Sequence, residues 1–416
     1  MSTTLTWLIA AAAIGGVLFR PRDWPEAVWA CLGAFILVIS GLLPLSQAGT
    51  AIAKGSDVYL FLTGMMLLSE LARRQGVFEW LASLAVKAAR GSPSRLFMLV
   101  YLVGTVVTVF LSNDATAVVL TPAIYAAVKK AGTKARPYLL ICAFIANAAS
   151  FVLPISNPAN LVVYGKHLPA LLPWLRTFLL PSVCSILATY ILLRWIWRKD
   201  LGGRVQDVGE AAELTTEGRL ATWGIIVTGV ILIGASGFGL DLGLPTCISA
   251  AVAVLVVTRA KGKELAEILK GISWSVLPLV AGLFVLVEAV NHAGALQHLG
   301  TVLRNCAGMP KAWGTLAASF GIAGLSNVVN NLPSGLLAGG ALQTVQVPQH
   351  IRNAVLIGVD LGPNLSVTGS LATVLWLIAL RREGEHISAW DFFKTGAFVM
   401  PPALFLASLA ISLLSR

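Results

Sequence analysis

A chain of 416 residues that is 57% hydrophobic and 12% charged has about half the charged share of a soluble protein. With a mean hydropathy of +0.81, that much apolar surface has no place in water, so a soluble enzyme is excluded and the chain reads as an all-α polytopic membrane protein. A net charge of +11 would point to nucleic acid in a soluble protein. Here the basic residues sit in short loops between apolar runs, the pattern of cytoplasmic loops, so the expected partner is the lipid bilayer and not nucleic acid.

The first apolar run, 5–19, lacks a basic n-region and an A-x-A cleavage site and reads as a retained helix. Runs that span, or nearly so, follow at 26–46, 57–72, 137–165, 170–194, 220–240, 245–258, 273–291, 354–380 and 396–414. Two further stretches, 96–128 and 311–342, are punctuated mid-way by Asn, Ser and Pro: Leu111-Ser112-Asn113-Asp114 in the first, Leu325-Ser326-Asn327 and Asn330-Asn331-Leu332-Pro333 in the second. Each, at about 32 residues, is too short for two crossings of about 20 residues, so each is expected to be a re-entrant hairpin with polar backbone at its tip.

Charge orients these elements. Arg73, Arg74, Lys87, Arg90 and Arg95 precede the first hairpin; Lys129, Lys130, Lys134 and Arg136 follow it, so its base is expected in the cytoplasm. The central loop, with Arg198, Lys199, Arg204 and Arg219, is cytoplasmic by the same rule. Five spans then lie on either side of that loop. An odd number per half requires two homologous halves to be inverted: a first repeat at 1–200, a cytoplasmic linker at 201–219 and a second repeat at 220–416, with a periplasmic base for the second hairpin.

Internal similarity supports the repeat. Gly64, Glu70 and Gly76 are matched 218 residues on by Gly282, Glu288 and Gly294. Leu111-Ser112-Asn113 is matched 214 residues on by Leu325-Ser326-Asn327, and Ser156 by Ser370 at the same distance. After each Glu comes a short stretch, 77–84 or 295–302, that mixes apolar and polar positions; it is either an amphipathic interfacial helix or a plain loop or span extension.

Each hairpin is followed by a span interrupted by Pro and Gly: Asn147 to Asn160, containing Pro154 and Pro158, and Asp360 to Ser370, containing Gly362, Pro363 and Gly369. Discontinuous helices at corresponding positions of two halves point to a transport site. Taken singly, such residues often only kink a helix or bond a neighbour. Within the two hairpins and the two broken spans the acids are Asp114 and Asp360, with no Lys or Arg between 97 and 128, 137 and 165, 312 and 349, or 353 and 380. A carboxylate at the bilayer centre costs roughly 2.5–3.5 kcal/mol on an insertion scale and usually faces a cavity and acts; the alternative is a carboxyl that caps a hairpin tip. Glu70 and Glu288, near span ends beside Arg73 and His292, read as structural anchors. The five histidines, His167 included, fall near loops, which argues against a histidine proton relay. Five scattered cysteines (Cys31, Cys142, Cys184, Cys247, Cys306) form no CxxC pair, so no disulfide framework, metal site or cofactor is expected.

The run Ile357-Gly-Val-Asp360-Leu-Gly-Pro-Asn-Leu-Ser-Val-Thr-Gly-Ser-Leu-Ala-Thr-Val-Leu-Trp376 closely resembles the matching stretch of ArsB-type arsenite efflux permeases. So do Ser112 to Thr116 with Thr121-Pro122, and Asn330 to Pro333; Gly64 to Ala82 resembles the wider ion transporter superfamily, which includes citrate and dicarboxylate carriers. The resemblance covers nearly the whole chain. It implies a bacterial inner-membrane carrier that exports arsenite and antimonite by proton antiport, in some systems with an ArsA-type ATPase as partner. It also implies that hairpins and broken helices form a transport domain moving against a scaffold.

The residues fit that chemistry. Arsenous acid is a small neutral triol, and amides and hydroxyls both donate to and accept from hydroxyls. The candidate substrate-binding residues are Asn113, Ser156, Asn157, Asn160, Asn327, Asn330, Asn331, Asn364 and Ser370. Asp114 and Asp360 are the candidate proton-coupling residues. Arsenic(III) is soft and favours thiolates, yet no cysteine lies in a motif, and multidentate thiolate binding would oppose release. The rival reading is a sodium-coupled carboxylate or other anion carrier of the same superfamily, with backbone amides at helix breaks in place of a basic side chain. An embedded enzyme lacks a nucleophile–base or metal constellation, and accumulation against a gradient would exclude a channel.

Overall fold

The computed structural model describes residues 2–165, 168–206 and 213–414, which contain helices and no strands. His167 and 207–212, the middle of the expected linker, lie outside the described residues. The first half runs α1 (Ser2–Phe19), α2 (Glu26–Ile39), α3 (Leu45–Lys54), α4 (Ser56–Arg74), α5 (Val77–Ala89), α6 (Pro93–Phe110), α7 (Thr121–Lys130), α8 (Arg136–Ala148), α9 (Pro158–Tyr164) and α10 (Leu171–Trp197). The second half repeats the series: α11 (Thr216–Gly237), α12 (Gly243–Thr258), α13 (Gly262–Gly271), α14 (Val276–His292), α15 (Ala295–Ala307), α16 (Lys311–Val329), α17 (Asn331–Thr344), α18 (Gln349–Leu361), α19 (Leu371–Arg382) and α20 (Ala389–Leu414).

Packing obeys the same correspondence, crosswise. α2 lies on α14 as α12 lies on α4; α9 lies on α17 as α19 lies on α7; α10 packs against its own counterpart α20. The repeated Gly-Glu-Gly pattern has its physical reason here. A β-carbon on Gly64 would sit 2.6 Å from the Thr246 carbonyl oxygen of α12, and one on Gly282 would sit 2.8 Å from the Ala30 carbonyl carbon of α2. Only glycine lets these helix pairs approach so closely. Gly76 and Gly294 carry positive φ (71° and 93°) and turn the chain into α5 and α15.

The Glu residues are anchors between halves. Glu70 accepts from Arg73 and Arg74, and Arg74 continues to the Glu267 carboxylate on α13 at 2.9 Å. Glu288 accepts from Lys54 on α3 at 2.9 Å, with His292 at 3.7 Å. Helices α3 and α13 were not legible as separate elements. α2 ends at Ile39, not near 46, and α3 meets α4 at a 47° bend; α13 meets α14 at 40°. Both are short and polar on one side (α13 reads GKELAEILKG), so a hydropathy run passes over them. The stretches at 77–84 and 295–302 are parts of the helices α5 and α15, whose buried positions (Val77, Phe78, Ala82, Ala85 and Ala295, Leu296, Leu303, Cys306) follow one helical face.

α10, α11 and α12 expose Leu187, Ile191, Trp223, Val230 and Ile248, side chains suited to lipid. The segment after α10 lies across the base of the first hairpin: Val205 N–H donates to Gly91 O and Gln206 N–H to Ala131 O, both at 3.0 Å, and Lys134 pairs with Asp200 at 2.6 Å.

Candidate functional site

Both hairpins turn on a non-glycine residue with positive φ: Ser112 (154°) and Asn330 (76°). Such backbone is unfavourable for side-chain-bearing residues and concentrates at functional sites. The first limbs are longer than the spacing implied: α6 and α16, of 18 and 19 residues, are each long and apolar enough to cross a membrane. After Ser112 a π-helical stretch, Ala115–Leu120, leads into α7; after Asn330 the chain enters α17 directly, the Asn330 side chain accepting from Leu332 N–H at 3.4 Å. This corrects the register read from the short Leu-Ser-Asn match. Asn327 lies on α16 before the turn, whereas Asn330 stands at the tip, where Ser112 stands in the first hairpin.

The broken spans are likewise shifted against the sequence match. α8 and α18 each have 13 residues, and their penultimate residues are Asn147 and Asp360. α9 and α19 are each capped by a side chain that accepts from a backbone N–H two residues on: Asn157 from Ala159 at 3.0 Å, Ser370 from Ala372 at 3.2 Å. Ser370 therefore corresponds to Asn157 rather than to Ser156. Extended backbone at the caps, forced by the Pro and Gly between, frees carbonyls that the helix ladder would otherwise satisfy.

Several candidate amides bind those carbonyls. Asn160 Nδ2 lies 2.9, 3.3 and 3.2 Å from the oxygens of Ser150, Leu153 and Pro154. Asn327 Nδ2 donates to Ala323 O and Gly362 O, both at 2.8 Å, and its Oδ1 accepts from Ser366 Oγ at 2.6 Å. Asn330 Nδ2 donates to Thr368 O at 3.2 Å. Ser156 Oγ donates to Val109 O on α6 at 3.0 Å, tying the first break to the first hairpin. Asn113 and Asn331 are buried at the tips, Asn113 accepting from Asp114 N–H at 2.9 Å.

At the breaks, side chains of the two halves bond to each other. Asn157 Nδ2 donates to Asp360 Oδ1 at 2.7 Å. Asn147 Nδ2 donates to Asn364 Oδ1 at 3.0 Å and reaches Thr373 Oγ1 at 3.4 Å, while Asn364 Nδ2 donates to Phe144 O at 2.9 Å. Ser150, whose hydroxyl donates to Asn147 O at 2.8 Å, faces Asp360 too. Asp360 is fully buried, has no cationic partner among the described residues, and leaves Oδ2 without a hydrogen bond; Asn147 Oδ1, Asn160 Oδ1 and Ser334 Oγ are likewise buried and unpaired. Unpaired buried hydroxyls also occur away from the site, at Ser182, Thr228 and Ser236; those within it can bond a hydroxyl-bearing solute or a proton. Asp114, by contrast, is half-buried, and its carboxylate makes no hydrogen bond or ion pair among the described residues. Residues missed in the sequence are Asn147, Ser150, Ser366, Thr368 and Thr373. Asn147 could have been found by aligning the two broken spans on their caps instead of on serine. Cys142, on α8, is buried with its thiol on Tyr138 O.

Two hairpins set beside two broken helices whose breaks bond to each other define a membrane transporter. The family model described as citrate transporter (CitMHS) matches residues 8–380, and the chain belongs to that family. It is a multi-pass protein of the bacterial inner membrane. Arsenical pump membrane proteins are similar along nearly the whole length: one of Escherichia coli is 25% identical over 409 residues and one of Yersinia enterocolitica 28% over 414, each covering 95% of both chains. Among solved structures, the YdaH transporter of Alcanivorax borkumensis, described as having an unusual topology, shares the fold with a TM-score of 0.56 at 16% identity, covering 94% of this chain and 96% of that one.

Proposed function

We propose that this transporter exports arsenite and antimonite from the cytoplasm by proton antiport. The observation that carries the reading is the similarity, over 95% of the chain, to proteins named arsenical pump membrane protein. The chemistry of the site supports it: the hairpins and breaks offer amides, hydroxyls and two carboxyls, and no Lys or Arg to hold an anion. In this reading Asn113, Ser156, Asn157, Asn160, Asn331 and Ser370 meet the cargo, Asn160 through its unpaired Oδ1, while Asn327, Asn330 and Asn364 keep the broken helices in shape for it. Asp360 and Asp114 carry the proton. A proton on Asp360 removes an unpaired buried charge while the Asn157 amide still holds the carboxyl.

The two halves, 1–200 and 220–416, are inverted across the membrane and joined by a cytoplasmic linker at 201–219. The hairpins and broken helices move together in an elevator-like step against α1–α4 and α11–α14. A sodium-coupled carboxylate carrier is the second reading, favoured by the description of the family model. The test is purified protein in liposomes given radiolabelled arsenite or citrate. Arsenite uptake without citrate uptake is expected; citrate uptake dependent on sodium would replace the reading.

A further inference from the structure

Helix α1 and the α14–α15 pair leave a crevice of about 750 Å³ against the second hairpin. That volume lies within the range of small-molecule sites, ~300–1,000 Å³. Trp7 and Ile14 form one wall, Leu286 and Val290 the back, and Val302 and Val328 the outer lips. The lips and Trp7 are 41–67% exposed, so the crevice opens on the outer surface of the molecule. At its floor, Asn327 has both amide hydrogens and its oxygen engaged, and Thr368 Oγ1 donates to Asn327 O at 3.2 Å. His298 is the one titratable side chain in the lining and stands exposed at the rim.

A charged or hydrated solute gains no partner in such a place, and water there would sit against an apolar wall. The lips, Val302 and Val328, are apolar and exposed, as suits a surface that meets hydrocarbon. We propose that the crevice binds an acyl chain of a bilayer phospholipid, inserted between α1 and the second hairpin. The chain rests against Leu325, Val328 and Val329, immediately before the hairpin turns at Asn330, so lipid becomes part of the packing of that tip. This site depends on the membrane-spanning fold and not on the identity of the cargo.

Gly15 gives the test. It lines the crevice, and a β-carbon there meets nothing within 4 Å, so Gly15→Phe is the substitution chosen to fill the space. Gly229 on α11, equally open but outside the crevice, is the control. The protein is reconstituted in liposomes containing phosphatidylethanolamine with a diazirine near the end of one acyl chain, irradiated, and the adducts mapped by mass spectrometry. Adducts on segments 283–302 and 325–337 should exceed those on α11 severalfold. They should fall severalfold in Gly15→Phe and stay unchanged in Gly229→Phe. Adducts no denser there than on α11, or undiminished in a monodisperse Gly15→Phe, overturn the proposal. If Gly15→Phe does not fold, Ala11→Phe, from the same wall, answers the same question.

Discussion

The helix before the break ends Asn147-Ala148 in the first half and Asp360-Leu361 in the second, on two helices of equal length. Each penultimate side chain bonds to the opposite half: Asn147 to Asn364 and Thr373, Asp360 to Asn157. Asparagine and aspartate are nearly the same shape, so the packing of one can stand for the other. Their chemistry differs in that only the aspartate can gain or lose a proton. The two residues hold equivalent positions but different partners, Asp360 the cap of α9 and Asn147 a residue of the break and one of α19, and only one of them is titratable. Asp114 stands outside that junction, on the hairpin side, with its carboxylate unbonded.

The sharpest way to break the comparison is to remove the acid. Asp360→Asn makes both members amides and should abolish gradient-driven export, by at least roughly tenfold, about 1.4 kcal/mol, while the protein elutes as wild type. Wild-type export by this variant in vesicles would remove Asp360 from coupling. The exchange Asn147→Asp with Asp360→Asn moves the acid to its counterpart and should restore part of the lost export.

Asp114→Asn should also reduce gradient-driven export, but less than Asp360→Asn, since its carboxylate holds no other element. Equal losses in paired vesicle assays would make the two acids alike and remove the distinction drawn between them.

Much of this was readable beforehand. The hydropathy runs, the hairpins and the match of Gly64, Glu70 and Gly76 with Gly282, Glu288 and Gly294 follow from constraints that sequence carries directly: burial length, close helix approach and positive φ. The register of the tips and breaks was not. A three-residue match placed Asn327 opposite Asn113, and a serine match placed Ser370 opposite Ser156. The caps are defined by backbone conformation, which Asn and Ser serve interchangeably, so Asn157 and Ser370 share a role without sharing a name. The structural task of Asn160, Asn327 and Asn364 was hidden for a related reason: an amide that binds freed carbonyls and one that faces a solute look the same in sequence.

The scaffold contacts give a smaller, symmetric effect. Gly64→Ala and Gly282→Ala each press a β-carbon onto the backbone of a helix from the other half, a kind of overpacking that costs ~1–3 kcal/mol. Thermal unfolding in detergent should show similar losses for the two; a loss confined to one would mean that the crossings are not equivalent. Smallest should be the effect of removing all five thiols, since no candidate residue bonds to one. Transport should remain near wild type, and loss of arsenite binding on Cys142→Ser alone would refute recognition by amides and hydroxyls. That background also permits topology labelling, with single cysteines replacing Lys130 after the first hairpin and Gln346 after the second. In intact cells an impermeant thiol reagent should reach position 346 and not 130; labelling of both, or of neither, contradicts inversion.

Proton-driven export of the cargo is the central claim. In everted membrane vesicles, whose lumen corresponds to the periplasm, arsenite should accumulate when the lumen is made acidic, without any sodium gradient, and Asp360→Asn should abolish the accumulation. Accumulation driven by a sodium gradient and indifferent to pH, or no accumulation of arsenite under either gradient by well-expressed protein, would contradict it.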